Sequence, residues 1–186
     1  MRLSELNNQM NLGIVEKDSE FQALGKLNAL SSERTLVFLN DEKYVAQIDN
    51  SFVSAVVTTE EIRSLLEKSD IGILVTDNPK RDFYRIHDYL IDSGFYFKTL
   101  NTSVDDSAEI STKAYIVPKN VRIGRNTVVY PNAVILENTT IGDNCVIMAG
   151  TVVGTEGYEV IELNGRRRIV RHAGKVIISD WVQIEA

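Results

Sequence analysis

The second half of the chain carries an aliphatic residue at every sixth position. These residues are Val117, Ile123, Val129, Ile135, Ile141, Ile147 and Val153, and the small residues four places after the first six are Val121, Thr127, Ala133, Thr139, Cys145 and Thr151. A period of six suits neither a helix nor a simple hairpin, but it suits a short strand plus a turn, three of which close a triangular coil. The pattern predicts a parallel β-helix with Val117, Ile135 and Val153 stacked on one face and Ile123 and Ile141 on another.

The ladder continues upstream, one residue out of step. Val104, Ile110 and Ile116 are its aliphatic members, with Ala108 and Ala114 as small partners. This change predicts a one-residue bulge near Ile116 to Pro118. Three glycines, Gly124, Gly142 and Gly154, each follow an aliphatic residue, and we expect them at turns that need a positive φ.

The ladder breaks after Val153 and resumes at Ile178 and Ile184. The interruption contains Asn164-Gly165, which is the strongest short signal for a two-residue hairpin turn. Such a turn would place Glu162 opposite Arg167 and Val160 opposite Ile169, pairing opposite charges and apolar groups. We predict a hairpin loop over about residues 155–175.

The first half of the chain alternates short aliphatic runs with helical patterns. Thr35–Leu39, Ser54–Thr58 and Ile71–Thr76 are predicted to be buried strands. Thr58 with Glu61 predicts a capping box, and Asn78-Pro79 predicts a second helix start, followed by an apolar stripe of Phe83, Ile86 and Leu90. We therefore expect a small α/β domain over residues 1–100 and a β-helix over residues 101–186.

Composition narrows the function classes. The 186 residues are 44% apolar and 25% charged, with a net charge of −6, which argues against a nucleic-acid-binding protein. No apolar run is long enough for a membrane span and no signal peptide is evident, so we expect a cytoplasmic protein. With two histidines and one cysteine no metal site is expected, and Cys145 is expected to fill a coil corner.

The order of the parts resembles the UDP-3-O-acylglucosamine N-acyltransferases of lipid A biosynthesis. The stretches that carry the resemblance are LVFLNDEKYV, SAVVTTEEI, the DNP of TDNPKRDF, and GTVVGTEGYEVIELNGRRRIVRHAGKVIISDWVQIEA. The resemblance implies an α/β uridine-binding domain followed by a left-handed parallel β-helix of hexapeptide repeats. The β-helix is shorter than is usual in the family, and the family's IGA is IEA here. The later coils that hold the family's catalytic histidine are absent, so we expect either an excised fragment or a shortened relative.

The resemblance implies a nucleotide-binding segment. Phe38 and Tyr44 keep the family's spacing for two rings that stack on uracil, and Asn40, Asp41 and Lys43 lie between them. Asp41 stands where the family has asparagine, and Glu42 follows it where the family has proline. Core packing of the two rings is the alternative, and Lys43 is expected either to neutralise a phosphate or to be solvated.

Two further groups are candidates for the acyl-transfer step. His172 lies at the end of the loop, and histidine is the natural general base for acyl transfer to an amine; a structural loop histidine is the alternative. His87 is expected to be structural. The basic cluster Arg166, Arg167, Arg168 and Arg171 could contact an acidic carrier protein or the phosphates of coenzyme A, or could simply pair with Glu159 and Glu162.

The implied activity is transfer of an acyl group from an acyl-acyl carrier protein or acyl-CoA to the amine of a UDP-amino sugar. The resemblance also implies a homotrimer with sites between neighbouring β-helices. Two alternatives stay open: a non-catalytic nucleotide-sugar binding or trimerising module, and a hexapeptide carbonic anhydrase. The last is disfavoured because it needs three histidines for zinc.

Overall fold

The computed structural model describes residues 1–27, 33–49, 52–66, 70–163 and 165–185. The chain forms two compact units, Met1–Tyr96 and a second that begins at Phe97. Each unit has its own apolar core, and each is described separately below.

The first unit is a five-stranded sheet with helices. Its elements are α1 (Leu3–Met10), β1 (Ile14–Lys17), β2 (Ala23–Leu24), β3 (Thr35–Leu39), a 3₁₀ helix (Glu42–Asp49), β4 (Val53–Thr58), α2 (Glu60–Arg63), a short 3₁₀ helix (Ser64–Leu66), β5 (Gly72–Val75) and α3 (Pro79–Asp92). The strand order is β1-β5-β4-β3-β2, and only β1 is antiparallel to its neighbour.

Alternate residues of the strands enter two separate apolar clusters, because successive side chains of a strand point to opposite faces. The first cluster, which includes residues of α1 and α3, is Leu3, Leu6, Leu12, Phe21, Leu36, Ala55, Val57, Leu74, Ile86 and Leu90. The second, which includes residues of α2 and both 3₁₀ helices, is Val37, Leu39, Ile48, Val53, Val56, Ile62, Leu66, Ile71, Ile73 and Val75. The central strands are therefore buried on both faces, which explains their continuous aliphatic runs.

Most of the predicted elements of this unit are confirmed. The three aliphatic runs correspond to β3, β4 and β5. Helix α3 begins at Pro79, and the side chain of Asn78 accepts a hydrogen bond from the Arg81 N–H at 3.0 Å. The predicted stripe of Phe83, Ile86 and Leu90 is buried.

The capping box predicted at Thr58 is wrong. Thr58 is the last residue of β4, and its hydroxyl donates to the Leu39 carbonyl of the neighbouring strand at 3.0 Å. Helix α2 begins at Glu60, one residue later than a cap at Thr58 would give. Its N-cap residue is Thr59, whose side chain makes no capping hydrogen bond. The tertiary contact with Leu39 has taken the hydroxyl that the local pattern assigned to the helix.

The second unit is a stack of short parallel strands. They are β6 (Ser103–Val104), β7 (Glu109–Ile110), β8 (Tyr115–Ile116), β9 (Val121–Ile123), β10 (Val128–Val129), β11 (Val134–Ile135), β12 (Thr139–Ile141), β13 (Val146–Ile147), β14 (Val152–Val153), β17 (Val176–Ile178) and β18 (Gln183–Ile184). They form three sheets, ordered β18-β13-β10-β7, β14-β11-β8 and β17-β12-β9-β6. This arrangement is that of the predicted parallel β-helix; its left-handed sense stays a prediction.

The aliphatic ladder forms the core of the coil. Ile123, Val129, Ile135, Ile141 and Ile147 are each at most 2% exposed. Pairing of Ile123 with Ile141 and of Ile135 with Val153 is as predicted.

The predicted place of Val117 in this ladder is wrong. Ile116, rather than Val117, pairs with Ile135, because the extra residue of the register change comes after strand β8. Val117 lies just beyond that strand, and its N–H donates to the Ile135 carbonyl at 3.1 Å. The one-residue register change predicted near Ile116 to Pro118 is therefore present, but as an extra residue in the turn after β8 and not as a bulge within a paired strand.

Asparagines, rather than the predicted glycines, occupy most of the left-handed corners. Their φ values are between 54° and 61°, and they recur every sixth residue as Asn120, Asn126, Asn132, Asn138 and Asn144. Asparagine tolerates this region better than most residues do, because its short amide side chain bonds locally. This second period of six is present in the sequence but was not predicted to form the corners.

Of the three glycines expected to have a positive φ, only Gly154 has one, at 88°. Gly124 and Gly142 are instead sites of close approach between coils. A Cβ on Gly124 would lie 2.6 Å from the Gly142 carbonyl oxygen, and one on Gly142 would lie 2.7 Å from the Asp180 backbone nitrogen. These positions exclude a side chain because the next coil passes directly over them.

The predicted hairpin is present as β15 (Val160–Leu163) and β16 (Arg166–Ile169). Glu162 pairs with Arg167, and Val160 pairs with Ile169, as expected. Asn164 lies outside the described residues. The coil resumes in register, because Ile178 pairs with Ile141 and Ile184 pairs with Ile147.

No helix within the described parts of the chain combines the length and the apolar character needed to cross a membrane.

Candidate functional site

The parallel strands of the first unit end together at one edge of the sheet. Leu39, Thr58 and Val75 pair across β3, β4 and β5, so the residues that follow these strands emerge at the same edge. Ligands of open parallel sheets bind outside the carboxyl ends of the strands. The predicted nucleotide segment begins at Phe38 in β3 and leaves the sheet at this edge, continuing into the 3₁₀ helix that starts at Glu42.

Phe38 packs against helix α3. Its ring centroid lies 5.1 Å from that of Phe83 and 6.4 Å from that of Tyr84, at tilted angles. Phe38 is half-buried and Phe83 and Tyr84 are buried, so part of the Phe38 ring is covered by the helix. The core-packing alternative accounts for that contact, and the remaining surface of the ring is accessible.

Asp41, Lys43 and Tyr44 form a second, local group. The Lys43 ammonium lies 2.7 Å from Asp41 Oδ2 and 4.8 Å from the centroid of the Tyr44 ring. The hydrogen bond from Lys43 lowers the pKa of Asp41, which therefore stays ionised at neutral pH. Asn40 is exposed, and Tyr44 is 38% exposed. The ammonium of Lys43 is therefore already partnered by a carboxylate and a ring.

The structure does not bring Phe38 and Tyr44 into ring contact. Phe38 packs with the first apolar cluster, whereas Val45, the neighbour of Tyr44, packs with the second cluster on the opposite sheet face. A base that stacks on both rings would therefore have to lie across the edge of the sheet that separates them.

A buried carboxylate on α3 was not among the predicted site residues. The Asp82 side chain is 0% exposed and accepts hydrogen bonds from Arg81 Nε at 3.0 Å, Arg81 Nη2 at 2.9 Å and Arg85 Nη1 at 2.9 Å. Burial raises the pKa of Asp82, but the hydrogen bonds from the two guanidiniums outweigh it and hold the pKa below its ordinary value. The sequence signal was the spacing Arg-Asp-x-x-Arg at the start of a helix.

His172 lies in the loop of the second unit, exposed to solvent. Its backbone N–H donates to Glu156 Oε2 at 2.8 Å, and a Cβ on Gly157 would lie 2.6 Å from its Nε2. Gly157 therefore makes room for the imidazole ring. His87, in the first unit, has its Nδ1 3.3 Å from the Tyr96 hydroxyl.

The predicted basic cluster lies on the hairpin and just after it. Arg166, Arg167 and Arg168 pair in register with Leu163, Glu162 and Ile161, respectively. Arg166, Arg167 and Arg171 are exposed, and Arg168 is half-buried. The cluster is therefore presented to solvent at the tip and along one strand of the hairpin.

One outward face of the coil is apolar. Tyr115, Val134 and Val152 stack along the sheet β14-β11-β8, and Tyr115 and Val152 are 57% and 50% exposed. The corresponding outward column of the sheet β17-β12-β9-β6 is Ser103, Arg122, Thr140 and Ile177, which is mostly polar. The contrast marks the face with Tyr115 as a candidate contact surface.

Among the described residues, no cluster of three or more His, Cys, Asp or Glu side chains is arranged to hold a metal ion. Cys145 is completely buried, with its Sγ 3.1 Å from the Ser179 carbonyl oxygen, as expected for a residue that fills a coil corner.

Residues 120–155, which lie within the regular coil, match the family model described as bacterial transferase hexapeptide (six repeats). No curated protein matches the chain. The repeat is that of hexapeptide acyl- and acetyltransferases in general, so the match supports a transferase of this broad class.

Proposed function

We propose that the chain is an N-acyltransferase, or part of one, that acylates the amine of a UDP-amino sugar. The match of residues 120–155 to the bacterial transferase repeat, on strands that stack as a regular coil, supports the transferase part of this proposal. The UDP-amino sugar is proposed from the resemblance of LVFLNDEKYV to a uridine-binding segment. The acyl donor is an acyl-acyl carrier protein or acyl-CoA, and the class is the one used in lipid A biosynthesis. The sheet edge beside Phe38 and Tyr44 is the proposed uridine site.

The proposed reaction is direct transfer. The amine nitrogen attacks the thioester carbonyl carbon, a C–N bond forms, and the C–S bond breaks as the tetrahedral intermediate collapses. The thiolate leaves and takes up a proton, while a general base removes one proton from the attacking nitrogen. His172 is the proposed base, because it is exposed on the loop, its backbone N–H is anchored by Glu156, and Gly157 leaves room for its imidazole ring.

The base is tested by measuring acyl transfer to UDP-glucosamine-type acceptors with His172→Gln. The matched control is His87→Gln, which removes the chain's other histidine. We expect a loss of about 100-fold or more in kcat for His172→Gln alone. If His172→Gln and His87→Gln are equally active, His172 is not the base and the structural alternative for this loop histidine holds.

The uridine site is tested by calorimetric titration with UDP-N-acetylglucosamine and UDP. Stacking on an aromatic ring contributes on the order of 1–3 kcal/mol per base, so Phe38→Ala and Tyr44→Ala should each weaken binding about tenfold or more. Tyr130→Ala, which removes an exposed ring from the coil, is the control. Absence of binding by the folded chain would refute the nucleotide-sugar assignment.

The alternative function is a non-catalytic module that binds a nucleotide sugar or drives trimerisation. The apolar column of Tyr115, Val134 and Val152 favours self-association, and we propose a homotrimer in either case. Val134→Glu should dissociate the assembly in sedimentation velocity, whereas Thr140→Glu on the polar column should not. A monomeric wild-type chain would exclude this role for the face.

The basic hairpin is the proposed contact surface for the acyl donor. The exposed Arg166 and Arg167 carry charge that suits an acidic carrier protein or the phosphates of coenzyme A. Replacing both by glutamine should raise the KM for the acyl donor and leave the affinity for UDP unchanged. A change in UDP affinity instead would assign the hairpin to the other substrate.

A further inference from the structure

The charges around Asp82 do not balance. One carboxylate contacts two guanidiniums, and within the described residues neither Arg81 nor Arg85 forms an ion pair with any other carboxylate. The pKa of Arg81 is raised mainly by its hydrogen bonds to Asp82 and to a lesser degree by the nearby charge of Asp77, which forms no ion pair with it. The group therefore carries a net positive charge on a chain whose overall charge is −6. A second anion would complete the neutralisation.

Many donors of the two arginines remain open. A guanidinium has five N–H donors. Asp82 takes two from Arg81 and one from Arg85, so among the described residues three donors of Arg81 and four of Arg85 are left. The Arg81 and Arg85 side chains are 34% and 48% exposed, so these donors are accessible from solvent.

Asp82 fixes the orientation of both groups. Its Oδ1 accepts from both arginines, and Arg81 is held in the two-bond geometry that locks a guanidinium plane. Burying a carboxylate for stability alone brings little, since apolar residues of similar volume usually do as well. Holding two guanidiniums side by side against their mutual repulsion instead preorganises a receptor.

We propose that Arg81 and Arg85, oriented by Asp82, bind a phosphoryl anion, either a free phosphate or the phosphates of a nucleotide. The fork geometry of guanidinium suits bidentate contact with phosphate oxygens. The position agrees with this assignment, because the group lies in the first turns of the 14-residue helix α3, whose amino-terminal dipole favours anions. This inference does not require the acyltransferase function.

The aromatic contacts connect the proposed anion site with the candidate uridine site. Phe83 follows Asp82 in the chain and packs against Phe38 at 5.1 Å between ring centroids. If the anion bound here is the diphosphate of a nucleotide, UDP should bind more tightly than pyrophosphate. If the site takes only free phosphate, UDP and pyrophosphate should bind equally and uridine should not bind.

The test is calorimetric titration of the full chain with pyrophosphate, UDP and uridine at low ionic strength. Arg81→Gln and Arg85→Gln should each weaken pyrophosphate binding about tenfold or more, since each removes charge-assisted hydrogen bonds. The control is Arg63→Gln, which removes another arginine of the same unit whose guanidinium pairs with Glu60 at 2.9 Å. Arg63→Gln should bind pyrophosphate as the wild type does.

Thermal melting shows whether each variant folds. Where a glutamine variant fails to melt cooperatively, Arg81→Lys and Arg85→Lys replace it, because lysine keeps the charge and loses the fork; they should weaken binding by less than the glutamine changes.

The proposal is overturned if the folded wild type binds no pyrophosphate, or if the arginine variants and Arg63→Gln bind it equally. Phe38→Ala separates this result from the proposed function. It should abolish any gain of UDP over pyrophosphate while leaving pyrophosphate binding intact.

Discussion

In the coil, Ile135 lies between Ile116 in the coil before and Val153 in the coil after, so this core residue has aliphatic neighbours on both sides. In the sheet of the first unit, Leu36 instead shares its cluster with residues of α1, α3, β4 and β5. A stacked repeat is specified by nearest neighbours, whereas a sheet covered on both faces depends on contacts from the whole unit. The two cores should therefore respond differently to damage.

The largest expected effect comes from emptying either core. Ile135→Ala and Leu74→Ala each truncate a residue that is 0% exposed, and each should cost about 2–5 kcal/mol of unfolding free energy in urea titrations. Hydrogen exchange should distinguish them: Ile135→Ala should speed exchange mainly in the coils that contain β8, β11 and β14, whereas Leu74→Ala should speed it across the sheet. Thr140→Ala, at an exposed outward position of β12 that lies outside the proposed contact surface, is the control. The same global response to both would refute the comparison.

A smaller loss is expected from removing the carboxylate of Asp82. Asp82→Asn leaves two guanidiniums around a neutral amide, and should cost about 2–3 kcal/mol, less than a fully buried pair because both arginines are half-exposed. Asp143→Asn removes the coil's comparable carboxylate, which pairs with the exposed Arg125 at 2.7 Å, and should cost clearly less than Asp82→Asn because solvent screens an exposed pair. Urea titrations of both variants measure the contrast, which fails if Asp143→Asn is the more damaging.

The amino-terminal helix should make the first unit sensitive to acid. Burial raises the pKa of Asp18, but hydrogen bonds from Arg2 and Ser4 outweigh it and lower the pKa from 3.8 to about 2. Because the folded-state pKa is lowered, this stabilisation is complete above about pH 4 and is lost as the pH falls to about 2, amounting to on the order of 1–2 kcal/mol.

The measurement is the difference in unfolding free energy between wild type and Asp18→Asn as a function of pH. The difference should be constant near neutral pH and shrink below pH 4. A difference that does not change down to pH 2 would contradict the assigned pKa.

A local effect is expected at a corner of the coil. Asn132 has a φ of 61°, so Asn132→Ala should cost about 1–2 kcal/mol, whereas Asn132→Gly should be nearly neutral. Chemical denaturation of the two variants gives the comparison. Equal losses would show that the amide side chain, rather than the backbone conformation, is what the corner needs.

The coil could be predicted in detail because its signals are local and repeated. The aliphatic period, the hairpin register of Glu162 with Arg167 and the return at Ile178 all follow from spacing alone. The errors came where one coil meets another: Gly142 is needed for close approach rather than for φ, and one extra residue moved Ile116 into the place expected for Val117.

The first unit was less predictable because its decisive contacts join distant parts of the chain. Strand runs and the Asn78-Pro79 helix start were visible in the sequence. The bond of the Thr58 hydroxyl to Leu39 and the capping of Ser4 by Asp18 were not, because nothing nearby in the sequence indicates the partner. The six-residue spacing of Phe38 and Tyr44 suggested that their rings act together. The spacing could not show that Phe38 packs against Phe83 and Tyr84 while Tyr44 lies beside Lys43.

The hairpin makes one corner of the coil a permissive insertion point. The strands on either side of the excursion, β14 and β17, pair with β11 and β12, so the regular coil resumes in register after the excursion. Length and sequence can therefore change there without changing the core, as in other surface loops carried by a rigid scaffold. Related chains can diversify at this corner, and a foreign peptide can be grafted there for display.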